Sequence, residues 1–376
     1  MDLRTKNTLG YYLLACALIL VVLGMLSIMA AAPLKGLELF NDPSYYLKKQ
    51  FLAAILGIFI LIAMLSLPNH LIERMVLPLV LVTLLLLLLT ASTKLSHQAG
   101  GASRWLKLFG ISIQASELAK VALVFFLAKN LSRTKINLSR LGFDIYSNFI
   151  VLGLFACLLM KQPDFGTAFL LTLLTFTMLF LAGIGLKPML QLCSVAGIGG
   201  LAILISAPYR VKRLFSYLDP FLDFQNSGFQ IVQSYLAFQN GGLLGVGFGE
   251  SRQKLFFLPE AHTDFILAVI GEELGLLGTS LVLLLFFLIF QIGILITLQQ
   301  KTKFRYLLAA GLTCLITIQA FFNIGVVTGA LPTKGITLPF ISSGVSSLLT
   351  FFFAMAILAR LGIGSIQKNE LESIHQ

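Results

Sequence analysis

Val76-Leu77-Pro78-Leu79-Val80-Leu81-Val82-Thr83-Leu84-Leu85-Leu86-Leu87-Leu88-Leu89-Thr90-Ala91-Ser92 is a run of seventeen residues without a single charge. As a helix it would measure about 26 Å, close to the roughly 30 Å hydrocarbon core of a bilayer. It is apolar on every side, which suits lipid and not the surface of a soluble domain. Comparable runs recur at 10–32, 50–67, 115–131, 145–160, 166–185, 189–206, 268–298, 304–328 and 344–362. The whole chain is 57% hydrophobic and 11% charged, with a mean hydropathy of +0.93. Lipid-exposed backbone has to bond within its own segment. The expected fold is therefore an all-α polytopic membrane protein of about ten helices, forming one domain over 1–376, with a long extracytoplasmic loop at 207–267 between helices seven and eight.

The first run follows Arg4 and Lys6 and ends in Met29-Ala30-Ala31-Ala32-Pro33, which has the look of a signal-peptide cleavage site. Its apolar stretch is longer than the roughly 7–15 residues of a signal-peptide core, so a retained first helix is expected. Cys16, Cys157, Cys193 and Cys314 all fall inside apolar runs. They read as small packing residues, not as a disulfide framework or a zinc site.

Lys and Arg in short loops orient a membrane protein. With both termini in the cytoplasm, thirteen cations lie in inner and thirteen in outer segments, and removing the long loop changes the tally to thirteen against eight. Long loops translocate largely regardless of charge, so both termini are expected to be cytoplasmic. The cations left on the outer face call for an anionic ligand, since arginine and lysine are the residues that bind phosphate oxygens.

The loop 207–267 carries Arg210, Lys212, Arg213, Arg252 and Lys254, and it ends in Pro259-Glu260-Ala261-His262-Thr263-Asp264-Phe265 just before a helix. A carboxylate in that place can simply cap the helix. Acid, imidazole and cations within one loop also suit a transfer reaction in which a carboxylate takes a hydroxyl proton while cations or a metal neutralise a pyrophosphate leaving group. Within the helices, Glu117 and Lys120 are three apart and share a face; an intramembrane charge is either paired or functional. Glu272 and Glu273 read as structural. Asp164, after Lys161-Gln162-Pro163, reads first as the cap of helix six. Lys48 and Lys49 lie where lipid headgroups alone would explain them. The glycine-rich stretches 241–247 and 329–340 follow no strand and lack G-K-[ST], which excludes P-loop and Rossmann readings; the second, with Ser342, Ser343, Ser346 and Ser347, is expected to line a polar crevice.

Several stretches together resemble the SEDS family of FtsW, RodA and SpoVE proteins. They are Gly101-Ala102-Ser103-Arg104-Trp105, Ser116-Glu117-Leu118-Ala119-Lys120, Gln162-Pro163-Asp164-Phe165-Gly166-Thr167, Tyr209-Arg210-Val211-Lys212-Arg213, Pro259 to Phe265, Gly271-Glu272-Glu273-Leu274-Gly275 and Leu331 to Ser347. Pro332-Thr333-Lys334-Gly335 resembles the division branch more than the elongation branch. The resemblance implies a peptidoglycan glycosyltransferase that joins lipid II units on the outer face of the cytoplasmic (inner) membrane. It further implies a class B penicillin-binding protein (transpeptidase) and other division-complex membrane proteins as partners, with no nucleic acid. It places the catalytic carboxylate at Asp264 and supporting groups at Glu117, Lys120, Asp164 and Lys49. Substrate contacts are expected from Arg210, Arg213, His262 and Lys334. A divalent cation, Mg or Mn, is expected on Asp264, with no organic cofactor. Ser103, Ala115, Phe229, Ser343 and Val345 depart from the family pattern and bear on the shape of the acceptor crevice. A lipid II flippase and a non-catalytic scaffold are the competing readings. A flippase tends to show internal repeats or paired broken helices, neither of which is found, and the intact acidic positions weigh against a scaffold.

Overall fold

The computed structural model describes residues 3–92, 96–99, 102–108, 111–133, 143–206, 228–254 and 258–363, with single positions at 211, 217, 219 and 220. In chain order the helices are α1 (Leu3–Ala31), α2 (Pro33–Phe40), α3 (Tyr45–Ser66), α4 (Asn69–Arg74), α5 (Val76–Ser92), α6 (Ala115–Leu131), α7 (Phe143–Lys161), α8 (Phe165–Ala182), α9 (Leu186–Ile205), α10 (Phe229–Gly241), α11 (Ile266–Leu298), α12 (Lys303–Val327) and α13 (Val345–Ile363). Every one of the ten apolar runs is a helix. Seven of them, α1, α3, α8, α9, α11, α12 and α13, are long and apolar enough to cross a bilayer by length and composition. The shorter α6 is enclosed by other helices along most of its length.

Helix α13 forms the centre of the bundle. It packs on α1 and α3 and also touches α6, α11 and α12; 78% of its apolar window is buried, against 11% for the peripheral α9. Small residues permit the close approach that packs helices in lipid. A side chain at Gly57 would run into the Phe352 ring, and one at Gly10 into Ile363.

Several features are absent from the sequence reading, the short helices α2 and α4 among them. A three-stranded antiparallel sheet, β1 (Ser96–Ala99), β2 (Ala102–Leu108) and β3 (Ile111–Gln114), joins α5 to α6, with Trp105 opposite both His97 and Gln114. The long loop contains the helix α10. Helix α11 begins two residues before the expected 268 and is broken at Gly275, whose φ of 63° and ψ of −157° lie in a region open essentially to glycine alone. The N–H groups of Leu276 and Leu277 donate to the carbonyls of Gly242 and Leu243, so the glycine-rich turn after α10 satisfies backbone groups that the break releases.

The two ends of the bundle differ in chemistry. One gathers the starts of α3, α6, α8, α11 and α13, held together by pairs such as Gln50 with Ser342 and Gln114 with Ser346. The other carries the Lys129–Glu73 ion pair at 2.9 Å and a bond from Arg360 to the Leu67 carbonyl.

Candidate active site

Asp264 stands in the turn before α11. The N-cap position of the helix is Phe265, whose side chain makes no capping bond. The turn is fixed by its backbone. Three successive carbonyls accept bonds from elsewhere: His262 from the Ser343 N–H at 3.0 Å, Thr263 from the Ser342 hydroxyl at 2.6 Å, and Asp264 from the Asn323 amide at 2.7 Å. The side chain is half-buried and lies against exposed Gly335, where a Cβ would come within 2.8 Å of Asp264 Oδ2. A glycine here lets the loop backbone lie close against the carboxylate.

Lys334, next to Gly335, runs across Gly166 at the start of α8, and any side chain at Gly166 would collide with it. Its ammonium lies 5.2 Å from the ring centres of both Phe165 and Phe169, within cation–π range. Asp164 caps α8 as expected, accepting from the Thr167 N–H at 3.2 Å and the Thr167 hydroxyl at 2.8 Å. The loop 331–343 thus brings the Asp164 cap, Lys334 and Asp264 into one neighbourhood.

Glu117 and Lys120 form the expected ion pair, 2.7 Å long, with side chains only 8% and 3% exposed. Lys120 also donates to Gln319 Oε1 at 2.6 Å and sits 5.4 Å from the Phe351 ring. Gln319 in turn donates to the carbonyl and hydroxyl of Thr337, which bonds Ser347. The pair is therefore wired to the loop that faces Asp264.

His262 is buried against Tyr46, ring centres 4.4 Å apart. Burial, then the charge of Lys35, push it down to about 4 against a smaller opposing pull from Glu260, so it is neutral at pH 7. Burial pushes Glu260 up, but its 2.8 Å bond to Lys35, the Lys35 and His262 charges and Thr263 outweigh that and hold it below the usual range. Lys49 lies over the Tyr45 ring at 4.4 Å, close to the same wall. Arg210 and Arg213 lie outside the described residues.

The outer cations have partners of their own in three places. Lys35 pairs with Glu260, Lys48 with Asp42, and Lys254 with Glu273 at 2.9 Å. An anionic ligand is therefore not required to explain these three. Glu272 accepts from Ser251, Asn240 and the N–H groups of Arg252 and Gln253, so both glutamates pin the loop to α11. Among the described residues, no three His, Cys, Asp or Glu side chains gather as a metal-holding group.

Gln319 and Asn323 were not singled out in the sequence. Their signal was available, because an amide inside an apolar run has to find a partner across helices.

A model of the cell cycle protein family FtsW/RodA/SpoVE matches residues 11–365. A probable peptidoglycan glycosyltransferase FtsW of Geobacter metallireducens is 40% identical, covering 95% of this chain and 96% of its own. A protein of the same name from Coxiella burnetii is 36% identical over 96% and 98%. Among solved structures, a chain of a peptidoglycan synthase complex that coordinates polymerization and crosslinking superposes with a TM-score of 0.78 at 25% identity, covering 95% of this chain and 98% of that one. The rod shape determining protein RodA of Thermus thermophilus has a TM-score of 0.69 at 24% identity over 95% and 97%, a likeness of fold. On these matches over nearly its whole length, the chain belongs to the FtsW/RodA/SpoVE family.

Proposed function

We propose that this chain is a peptidoglycan glycosyltransferase that joins lipid II units into glycan at the outer face of the cytoplasmic membrane, with Asp264 as its general base. The observation that supports this most is the Asp264 carboxylate itself, half-buried on a turn whose carbonyls are held by Ser343, Ser342 and Asn323, with Oδ2 against exposed Gly335. The function in its relatives' names, at up to 40% identity over nearly the full chain, points the same way.

In this reading a sugar hydroxyl of one lipid II gives its proton to Asp264 as its oxygen attacks the anomeric carbon of the growing lipid-linked strand. A glycosidic bond forms, the bond from the anomeric carbon to the pyrophosphate oxygen breaks, and undecaprenyl pyrophosphate leaves with the electron pair. Lys334, with Arg210 and Arg213 from the long loop, would meet the pyrophosphate charge, the electrostatic help such leaving groups take. The buried Glu117–Lys120 pair acts behind them, holding the wall of the site. A divalent cation would be held by the Asp264 carboxylate, since among the described residues no three His, Cys, Asp or Glu side chains gather as a metal-holding group. When bound, it would supply charge neutralisation for the leaving pyrophosphate.

The complex that the TM-score 0.78 neighbour comes from couples polymerization to crosslinking. A class B penicillin-binding protein and other division proteins are the corresponding partners here. In this reading both termini lie in the cytoplasm, with the Asp264 end outside.

Purified full-length protein, with its transpeptidase partner, incubated with lipid II and resolved on a gel tests the reading. A ladder of glycan products is expected, strengthened by Mg²⁺ or Mn²⁺. Labelled lipid II that crosses a reconstituted bilayer without forming any polymer would refute it.

A further inference from the structure

Two buried amides on α12 stand one helical turn apart, and each bridges the 331–343 loop to a different ionisable part of the site. Gln319 is 0% and Asn323 1% exposed. Gln319 Oε1 accepts from Lys120 while its Nε2 donates to the Thr337 carbonyl at 3.0 Å. Asn323 Nδ2 donates both to the Ile336 carbonyl and to the Asp264 carbonyl, each at 2.7 Å. The orientations follow from the partners. An ammonium can only donate, so Gln319 must present its oxygen to Lys120; two carbonyls can only accept, so Asn323 must present its NH₂ to them.

The rungs attach to consecutive loop residues, Ile336 and Thr337, directly after Gly335 that faces the Asp264 carboxylate. One end of the ladder thus reaches the α6 ion pair and the other the catalytic turn, on a single rigid helix. We propose that Gln319 and Asn323 are positioning residues that set the separation between the Lys120 ammonium and the Asp264 carboxylate and hold Gly335 against the latter. This rests on the reading of Asp264 as the base. Neither amide touches the reacting atoms. Their effect falls on the geometry in which the proton is taken, where a displacement of about 1 Å can cost on the order of a hundredfold in rate.

The test is a double-mutant cycle on the full-length protein, reading kcat and KM for lipid II polymerisation alongside thermal unfolding. Gln319→Leu and Asn323→Leu should each lower kcat about tenfold or more with KM changed less than about threefold, the split that marks a transition-state effect. The double variant should lose little more than the worse single, because the two rungs hold one loop. Gln319→Glu keeps an acceptor for Lys120 but puts a carboxylate oxygen where the Thr337 carbonyl needs a donor, so it should lower kcat as Gln319→Leu does. If Asn323→Leu does not fold, Asn323→Asp has the same shape and replaces the donor by an acceptor, and it carries the same expectation. Folded single variants with unchanged kcat, effects confined to KM, or fully additive losses would each overturn the ladder. Asp264→Asn in the same assay separates the two claims. If it stays active, the reading of Asp264 falls; if it is inactive while the amide variants keep their kcat, only the ladder falls.

Discussion

At the scale of single residues, the site depends on one glycine and one paired charge. Gly335 is exposed, so Gly335→Ala should leave the melting temperature almost unchanged. Its new Cβ would press on Asp264 Oδ2, and polymerisation should fall about tenfold or more; steady-state rates on protein of matched stability check this. Lys120→Met strands the Glu117 carboxylate in the core, where removing one partner of a buried pair costs about 3–5 kcal/mol. Adding Glu117→Gln should restore much of the stability seen in thermal melts while activity stays low, because the bond from Lys120 to Gln319 is still missing. The Glu117–Lys120 pair was legible in the sequence because its spacing is local and its charge is conspicuous in an apolar chain. Lys254 was misread for a related reason. Its partner Glu273 is nineteen positions away, and only the folded loop brings them together.

At the scale of elements, the break in α11 and the turn that fills it form one unit. A Cβ at Gly275 would lie 2.6 Å from the Leu243 carbonyl oxygen, in a backbone conformation that side chains rarely adopt. Gly275→Ala is expected to destabilise by about 1–3 kcal/mol and to raise hydrogen exchange selectively at the N–H groups of Leu276 and Leu277, which mass spectrometry can resolve. The ten long helices could be read from apolar runs alone, since lipid allows few alternatives. The break could not. Gly271-Glu272-Glu273-Leu274-Gly275 is continuous with the helix in sequence, and only the turn 242–247 docked on it shows where the helix parts. The β-sheet escaped notice because β1 and β3 are four residues each, too short for alternation to stand out. β2, Ala102 to Leu108, does not alternate cleanly either, with Ser103-Arg104 and Trp105-Leu106 side by side.

At the scale of the whole molecule, composition and run length were enough to establish a membrane bundle, whereas the cation count alone left its orientation open. The fold adds a physical criterion. Loops that carry site residues converge on one end, and the opposite end holds Lys129, Glu73 and Arg360. With the termini inside, a cysteine placed at exposed Pro259 should react with an impermeant maleimide from outside intact cells. One placed at exposed Lys301 should react only after the membrane is opened. The reverse pattern would invert the bundle and put Asp264 on the wrong side for an externally built polymer. Both the orientation and the chemistry meet at this one carboxylate. The most direct measurement is therefore lipid II polymerisation by purified, correctly folded Asp264→Asn beside the unmodified protein: loss of about a hundredfold or more in rate is expected for removal of a general base, and a glycan ladder of normal length formed at the normal rate would contradict the assignment.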